Sequence, residues 1–93
     1  MVARFSWDPL KASSNARKHW VTFEEAISAF RDPLSLTIPD PDHSVGEYRY
    51  LLIGMSERKR LLVVAHAERR DIIRIISARL ATRRERAIYE EEL

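Results

Sequence analysis

The chain has 93 residues, no cysteine and a formal net charge of +2. That length admits one domain, residues 1–93, and excludes two independent cores. The missing cysteine excludes a disulfide scaffold, a thiolate zinc site and a thiol nucleophile, and makes a cytoplasmic location the default expectation. No apolar run approaches the roughly 18 residues of a membrane span, and MVARFSWDPL at the start lacks the apolar stretch of a secretory signal.

Arg4 to Trp7 alternate as a short strand would, and Asp8-Pro9 supplies an N-cap and a first helical residue, predicting a helix over about Pro9 to Lys18. Thr22 to Glu25 forms a capping-box pattern. Phe23, Ala26, Ile27 and Phe30 then follow at helical spacing as a core-facing stripe, which Asp32-Pro33 stops. Leu34 to Ile38 reads as extended, and the proline- and aspartate-rich stretch from Pro39 to Gly46 as a loop. Three strands are expected at Tyr48–Met55, Leu61–Ala67 and Ile72–Ala78, joined by charged hairpin connections at 56–60 and 68–71. Their centres are apolar at successive positions, so both sheet faces need cover that three short helices must supply, unless another chain supplies it. A second capping box, Thr82 to Glu85, opens a last helix over about Arg83 to Glu91. Its arginines stand at the N-terminal end and its glutamates at the C-terminal end, against the helix macrodipole. The implied class is α+β, a small antiparallel sheet flanked by helices in the order β-α-α-β-β-β-β-α.

The modest net charge conceals a skew. Residues 1–47 carry a net of −2, whereas 58–86 carry +7, and arginine outnumbers lysine thirteen to three. Guanidinium binds phosphate oxygens in pairs and stacks on bases, so this zone favours a phosphate-rich partner; a solvated, salt-bridged surface explains the charges equally well. Phe5, Trp7 and Trp20 are candidates for base stacking, though Phe5 and Trp7 read better as the lid of a small core. His19, His43 and His66 lack ligand spacing, and no metal or cofactor is expected. Period-2 alternation sets His66 and Glu68 side by side at a strand end, and puts Arg74 on one face of the next strand with Ser77 and Arg79 on the other. A histidine, a carboxylate and arginines are the parts that metal-free RNA cleavage requires: a base for the ribose 2′-OH, cations for the phosphorane and an acid for the leaving oxygen. A structural pair with no catalytic role remains open on spacing alone.

Phe5, Trp7-Asp8-Pro9, Lys11, Asn15 and Lys18-His19, followed by Val21 and Phe23 to Ala26, resemble the BrnT family of ribonuclease toxins. So do Asp32-Pro33, Asp42-His43-Ser44, Gly54, Ser56, Arg60 to Val64, His66, Glu68-Arg69, Arg74 to Arg79, Ala81 to Arg86 and Tyr89-Glu90. Trp20 and Lys59 stand where the family usually has glycine, which implies a different turn after the first helix. The resemblance implies a RelE-like fold and a metal-independent endoribonuclease of a type II toxin–antitoxin module. It also implies neutralisation by a BrnA-like antitoxin with a ribbon-helix-helix type DNA-binding domain, so that DNA is contacted only through the antitoxin. Carried onto this chain, the expected catalytic set is His66, Glu68, Arg79, Arg69 and Lys11, with RNA contacts from Arg60, Arg49, Lys18, His19 and Arg83. The alternatives are a catalytically inactive nucleic-acid binder and a module that only holds an antitoxin. A toxin dimer would answer the need for cover on the sheet.

Overall fold

A computed structural model describes residues 4–40, 42 and 46–91. His43 and Ser44 of the family-like Asp42-His43-Ser44 stretch, and Glu92 of the acidic tail, lie outside the described residues. The elements are β1 (Arg4–Ser6), α1 (Pro9–His19), α2 (Phe23–Ala29), β2 (Leu36–Pro39), β3 (Arg49–Met55), β4 (Leu61–Arg69), β5 (Ile72–Leu80) and α3 (Arg83–Glu91). They follow the expected order and fall within a few residues of the expected limits. β4 runs on to Arg69, because its connection to β5 is only the two-residue turn Arg70-Asp71, and β5 runs on to Leu80, because Arg79 and Leu80 still pair with Val63 and Leu62 of β4.

The sheet has five strands in the order β1-β5-β4-β3-β2. β2, β3, β4 and β5 pair antiparallel, whereas β1 lies parallel to β5, so the sheet is mixed at that one edge. The parallel pairing is reached through the whole intervening chain, a connection that no hairpin pattern announces.

One face of the sheet carries Leu52, Leu62, Val64, Ile75 and Ala78, packed beneath Val21 and the α2 residues Phe23, Ala26 and Ala29. Phe5 and Trp7 pack against this core, as a lid should. The helix sits so close that a Cβ on Gly54 would lie 2.7 Å from the Ala29 carbonyl oxygen, which makes glycine obligatory there. The opposite face carries Ile53, Leu61 and Val63 beneath Tyr89 of α3. Asp32 ties that helix down: one carboxylate oxygen accepts from the Tyr89 hydroxyl at 2.6 Å and the Met55 amide at 2.8 Å. Burial works against the Asp32 charge, but the bonds from Tyr89, Met55 and Leu34 prevail and hold its pKa below the ordinary value. Burial, followed by Asp32, pushes Tyr89 up to about 12.

The two capping boxes have different fates. Thr82 and Glu85 exchange both bonds, at 2.9 and 3.2 Å. Thr22 accepts from the Glu25 amide at 3.1 Å, but the Glu25 carboxylate turns inward to the Ser56 hydroxyl (2.7 Å) and to Arg60. The expected reciprocal bond at α2 gives way to a buried carboxylate that holds the β3–β4 hairpin. Trp20 and Lys59 keep the left-handed backbone that glycine favours, at φ 59° and 61°. The expectation of a different turn after α1 is not met; the tryptophan itself adopts the left-handed cap, and the residue is 82% exposed.

Asn15 closes the fold across its longest reach. Its side-chain amide donates to the Val21 carbonyl (2.9 Å) and the Ala78 carbonyl (2.8 Å), and its oxygen accepts from the Ala78 amide (3.0 Å). Asn15→Ala strands buried backbone groups and should cost about 2–4 kcal/mol in urea unfolding. Gly54→Ala should cost about 1–3 kcal/mol by forcing α2 off the sheet, measured in the same way.

Candidate functional site

A bulge in β5 decides which side chains share a face. Ala65 pairs with Ser77 and His66 with Ile75, so Ile76 is an extra residue in β5. Strict alternation separates Arg74 from Arg79; the bulge reverses the parity and sets both on the face that α3 partly covers. That corrects the expectation of opposite faces. Ser77 and Arg79 also share this face, as their pairing with Ala65 and Val63 requires.

α3 covers only the end of this face that carries Ile53, Leu61 and Val63. The uncovered half is lined with cations. Arg49, Ala67, Arg74 and Ser6 form one row across β3, β4, β5 and β1, and Arg69, Ile72 and Arg4 form the next. Arg69, Arg70 and Arg74 border a cavity of about 530 Å³ whose floor is Ala67, Ile72 and Ser6. Glu47 enters it and accepts from Arg74 at 2.5 Å. Arg70 sits in the β4–β5 turn with φ 59°, a left-handed conformation uncommon for a side chain of this size.

Arg79 stands where this open half meets α3. Its guanidinium grips Glu85 with two bonds, 2.7 and 2.9 Å, a bidentate fork on the carboxylate that completes the α3 capping box. The Arg79 bond leads the causes that hold Glu85 down at about 2.

His66 and Glu68 lie on the other face, at the same end of the sheet. His66 is 1% exposed, between the rings of Phe30 (centroids 4.9 Å apart) and Tyr50 (5.8 Å). Its Nδ1 is 3.3 Å from the Val64 carbonyl and its Nε2 is 3.7 Å from Glu68, whose side chain is 51% exposed. Burial lowers the His66 pKa below 6.5, and the Val64 carbonyl and Glu68 offset only part of that. Glu68 and Arg69 are therefore consecutive residues facing opposite sides, and a ligand reaches both only around the strand end.

The remaining expected residues fall elsewhere. Lys11, Lys18 and His19 gather along α1 with Ser14, Ile76 and Ser77 in a shallow cleft of about 180 Å³. Arg60 has its guanidinium engaged by Glu25 and the Trp20 carbonyl, away from the arginine-lined groove. Those partners hold Glu25 below its ordinary pKa: the Arg60 bond leads, burial opposes, and Ser56 adds to the lowering. Arg83 opens α3. Among the described residues no three His, Asp or Glu side chains gather as a metal cluster. Sequence reading did not bring Arg70, Arg74 and Glu47 to this groove; a charged two-residue turn was the only available signal for Arg70, and the bulge hid Arg74.

The model of the BrnT ribonuclease toxins of type II toxin–antitoxin systems matches residues 7–85, and the chain belongs to that family. The crystal structure of the Brucella abortus ribonuclease toxin BrnT has the same fold, with a TM-score of 0.63 and 22% identity over 88% of this chain and 100% of that one. No curated protein matches the chain.

The lowered groups set a pH signature. A buried neutral histidine resists a proton that the unfolded chain accepts below about 6.5, so stability should begin to fall as the pH drops through that value. Glu85 keeps its charge until about 2, so a second loss should run from about 4.5 down to 2. Urea midpoints against pH should show His66→Phe flattening the upper limb and Glu85→Gln the lower.

Proposed function

We propose that the protein is an endoribonuclease toxin that cleaves single-stranded RNA without a metal at the open end of its sheet, in the cytoplasm. The observation that carries this reading is the bulge-aligned run of arginines on the uncovered half-face, adjoining a strand end that bears a carboxylate backed by a buried histidine. Glu68, the exposed member, takes the proton of the ribose 2′-OH. His66 acts as a positioning residue through Glu68: with Nδ1–H aimed at the Val64 carbonyl, Nε2 faces the carboxylate and the pair shares the arriving proton. Attack of the 2′ oxygen on phosphorus forms the new P–O bond and breaks the bond to the 5′ oxygen, which leaves with a proton taken from solvent water, while the proton on Glu68 returns to solvent afterwards. Arg69 and Arg74 neutralise the extra charge on the phosphorane. Arg79 is set apart by its grip on Glu85, and its role is to hold α3 beside the groove. Lys11, Lys18, His19, Arg49 and Arg83 extend the cationic surface that the RNA strand follows.

As a type II toxin, the protein has an antitoxin as its partner, and we take it to be BrnA-like, with a ribbon-helix-helix type DNA-binding domain. A second reading, RNA binding without cleavage, draws on the burial of His66 and the engagement of Arg79. One assay separates the two. Purified protein should cut a single-stranded RNA in EDTA. Glu68→Gln should slow cutting by about 10²–10³-fold with unchanged thermal stability and RNA affinity, and His66→Phe should shift the pH–rate profile. Binding without strand scission by the wild-type chain favours the second reading.

A further inference from the structure

The carboxylate of Glu47 occupies the groove as an anion would. It accepts from Arg74 at 2.5 Å and lies 3.8 Å from Nε of Arg49, with its side chain 25% exposed. The register explains how it fits. Arg49 and Arg74 flank Ala67 in one cross-strand row, so the middle strand offers only a methyl group where two long cations lean inward from either side. Glu47, just ahead of β3, lines the same cavity as that alanine and reaches both arginines with one oxygen. Arg69 and Arg70 border the same cavity, and among the described residues neither has an ion pair or a side-chain hydrogen bond. The groove is thus a seat for one oxyanion, filled from within and flanked by two further cations that have no anion.

We infer that the Arg49–Ala67–Arg74 row is a seat for an RNA backbone phosphate, and that single-stranded RNA binds by exchanging Glu47 for a phosphodiester. This rests on the reading of RNA as substrate and adds Glu47 as the group that competes with RNA phosphate for Arg49 and Arg74. The exchange is charge-neutral at the seat, because one monoanion replaces another. Net attraction then comes from Arg69 and Arg70, which bind neighbouring phosphates only when a strand runs past the seat. An isolated anion gains nothing from the exchange, whereas a polyphosphate chain does.

The test uses the full chain and a fluorescent 2′-O-methyl oligoribonucleotide, which cannot be cleaved, with Kd measured by anisotropy from low to moderate salt. Glu47→Gln should tighten binding about three- to fivefold at low salt. It should also steepen the slope of log K against log salt by roughly 0.7, the cation release of one single-strand phosphate contact that the displaced Glu47 carboxylate no longer offsets. Arg74→Gln in the Glu47→Gln background should erase both gains. Glu47→Ala serves as the second variant, and melting curves confirm that each protein folds. Unchanged or weaker binding by folded Glu47→Gln and Glu47→Ala overturns the exchange, as does a gain that survives loss of Arg74. Wild-type protein that leaves unmodified RNA uncut, while Glu47→Gln binds the analogue more tightly, overturns the cleavage reading and leaves the phosphate seat standing.

Discussion

The central strands are apolar on both faces, and helices of 11, 7 and 9 residues cannot cover both. The rest of the molecule follows from that shortfall. α1 and α2 are spent on one face, where Phe23 and the alanines of α2 close a dense core. α3 reaches across only part of the other, held by Tyr89 on Asp32 and by Arg79 on Glu85. What remains uncovered carries arginines in place of a fourth helix. The groove and the core are two outcomes of the same deficit.

Charge does different work at different depths. Glu25 is taken out of water and gains its stability from Arg60 and Ser56, so that a buried ionised group becomes the clamp on a hairpin. Glu85 is half-sheltered and shared between a helix cap and an arginine. Glu47, nearer to solvent, touches only groups whose charge a nucleic acid would also satisfy. The three carboxylates grade from structural to exchangeable as their side chains come toward solvent, 4% exposed for Glu25, 20% for Glu85 and 25% for Glu47.

Much of the fold was legible in the residues. Asp8-Pro9, the two Thr-x-x-Glu boxes and the apolar centres of β3, β4 and β5 mark element starts and cores by local chemistry, and local chemistry is what a sequence displays. Apart from the cap at Trp20, the misses are non-local. The pairing of β1 with β5 depends on a contact between the ends of the chain. The extra residue at Ile76 has no signature, since the strand reads as continuous apolar residues whether or not one of them is bulged. That single residue turned Arg74 to the face of Arg79, and it is why strict alternation separated them. His66 and Glu68 were correctly placed as neighbours, but their distance from Arg79 needs the third dimension: the pair and that arginine lie on opposite sides of the sheet. Arg60 looked like one more basic hairpin residue, because a buried partner 35 positions away cannot be seen in the string.

The parallel pairing of β1 with β5 carries a consequence for how the chain comes into being. Residues 4–6 have no sheet partner until residues 72–74 exist, and Asn15 has no Ala78 to grip until nearly the whole chain has been made. Native contacts of such long sequence separation close late. During synthesis the N-terminal strand and α1 wait unanchored while the middle strands pair behind them, and the open half-face gains Arg74 only with the last of these strands. A truncated product lacks both its seal and its cationic surface. The order of synthesis thus delays both the sealed edge of the sheet and its row of arginines until residues 72–78 have been made.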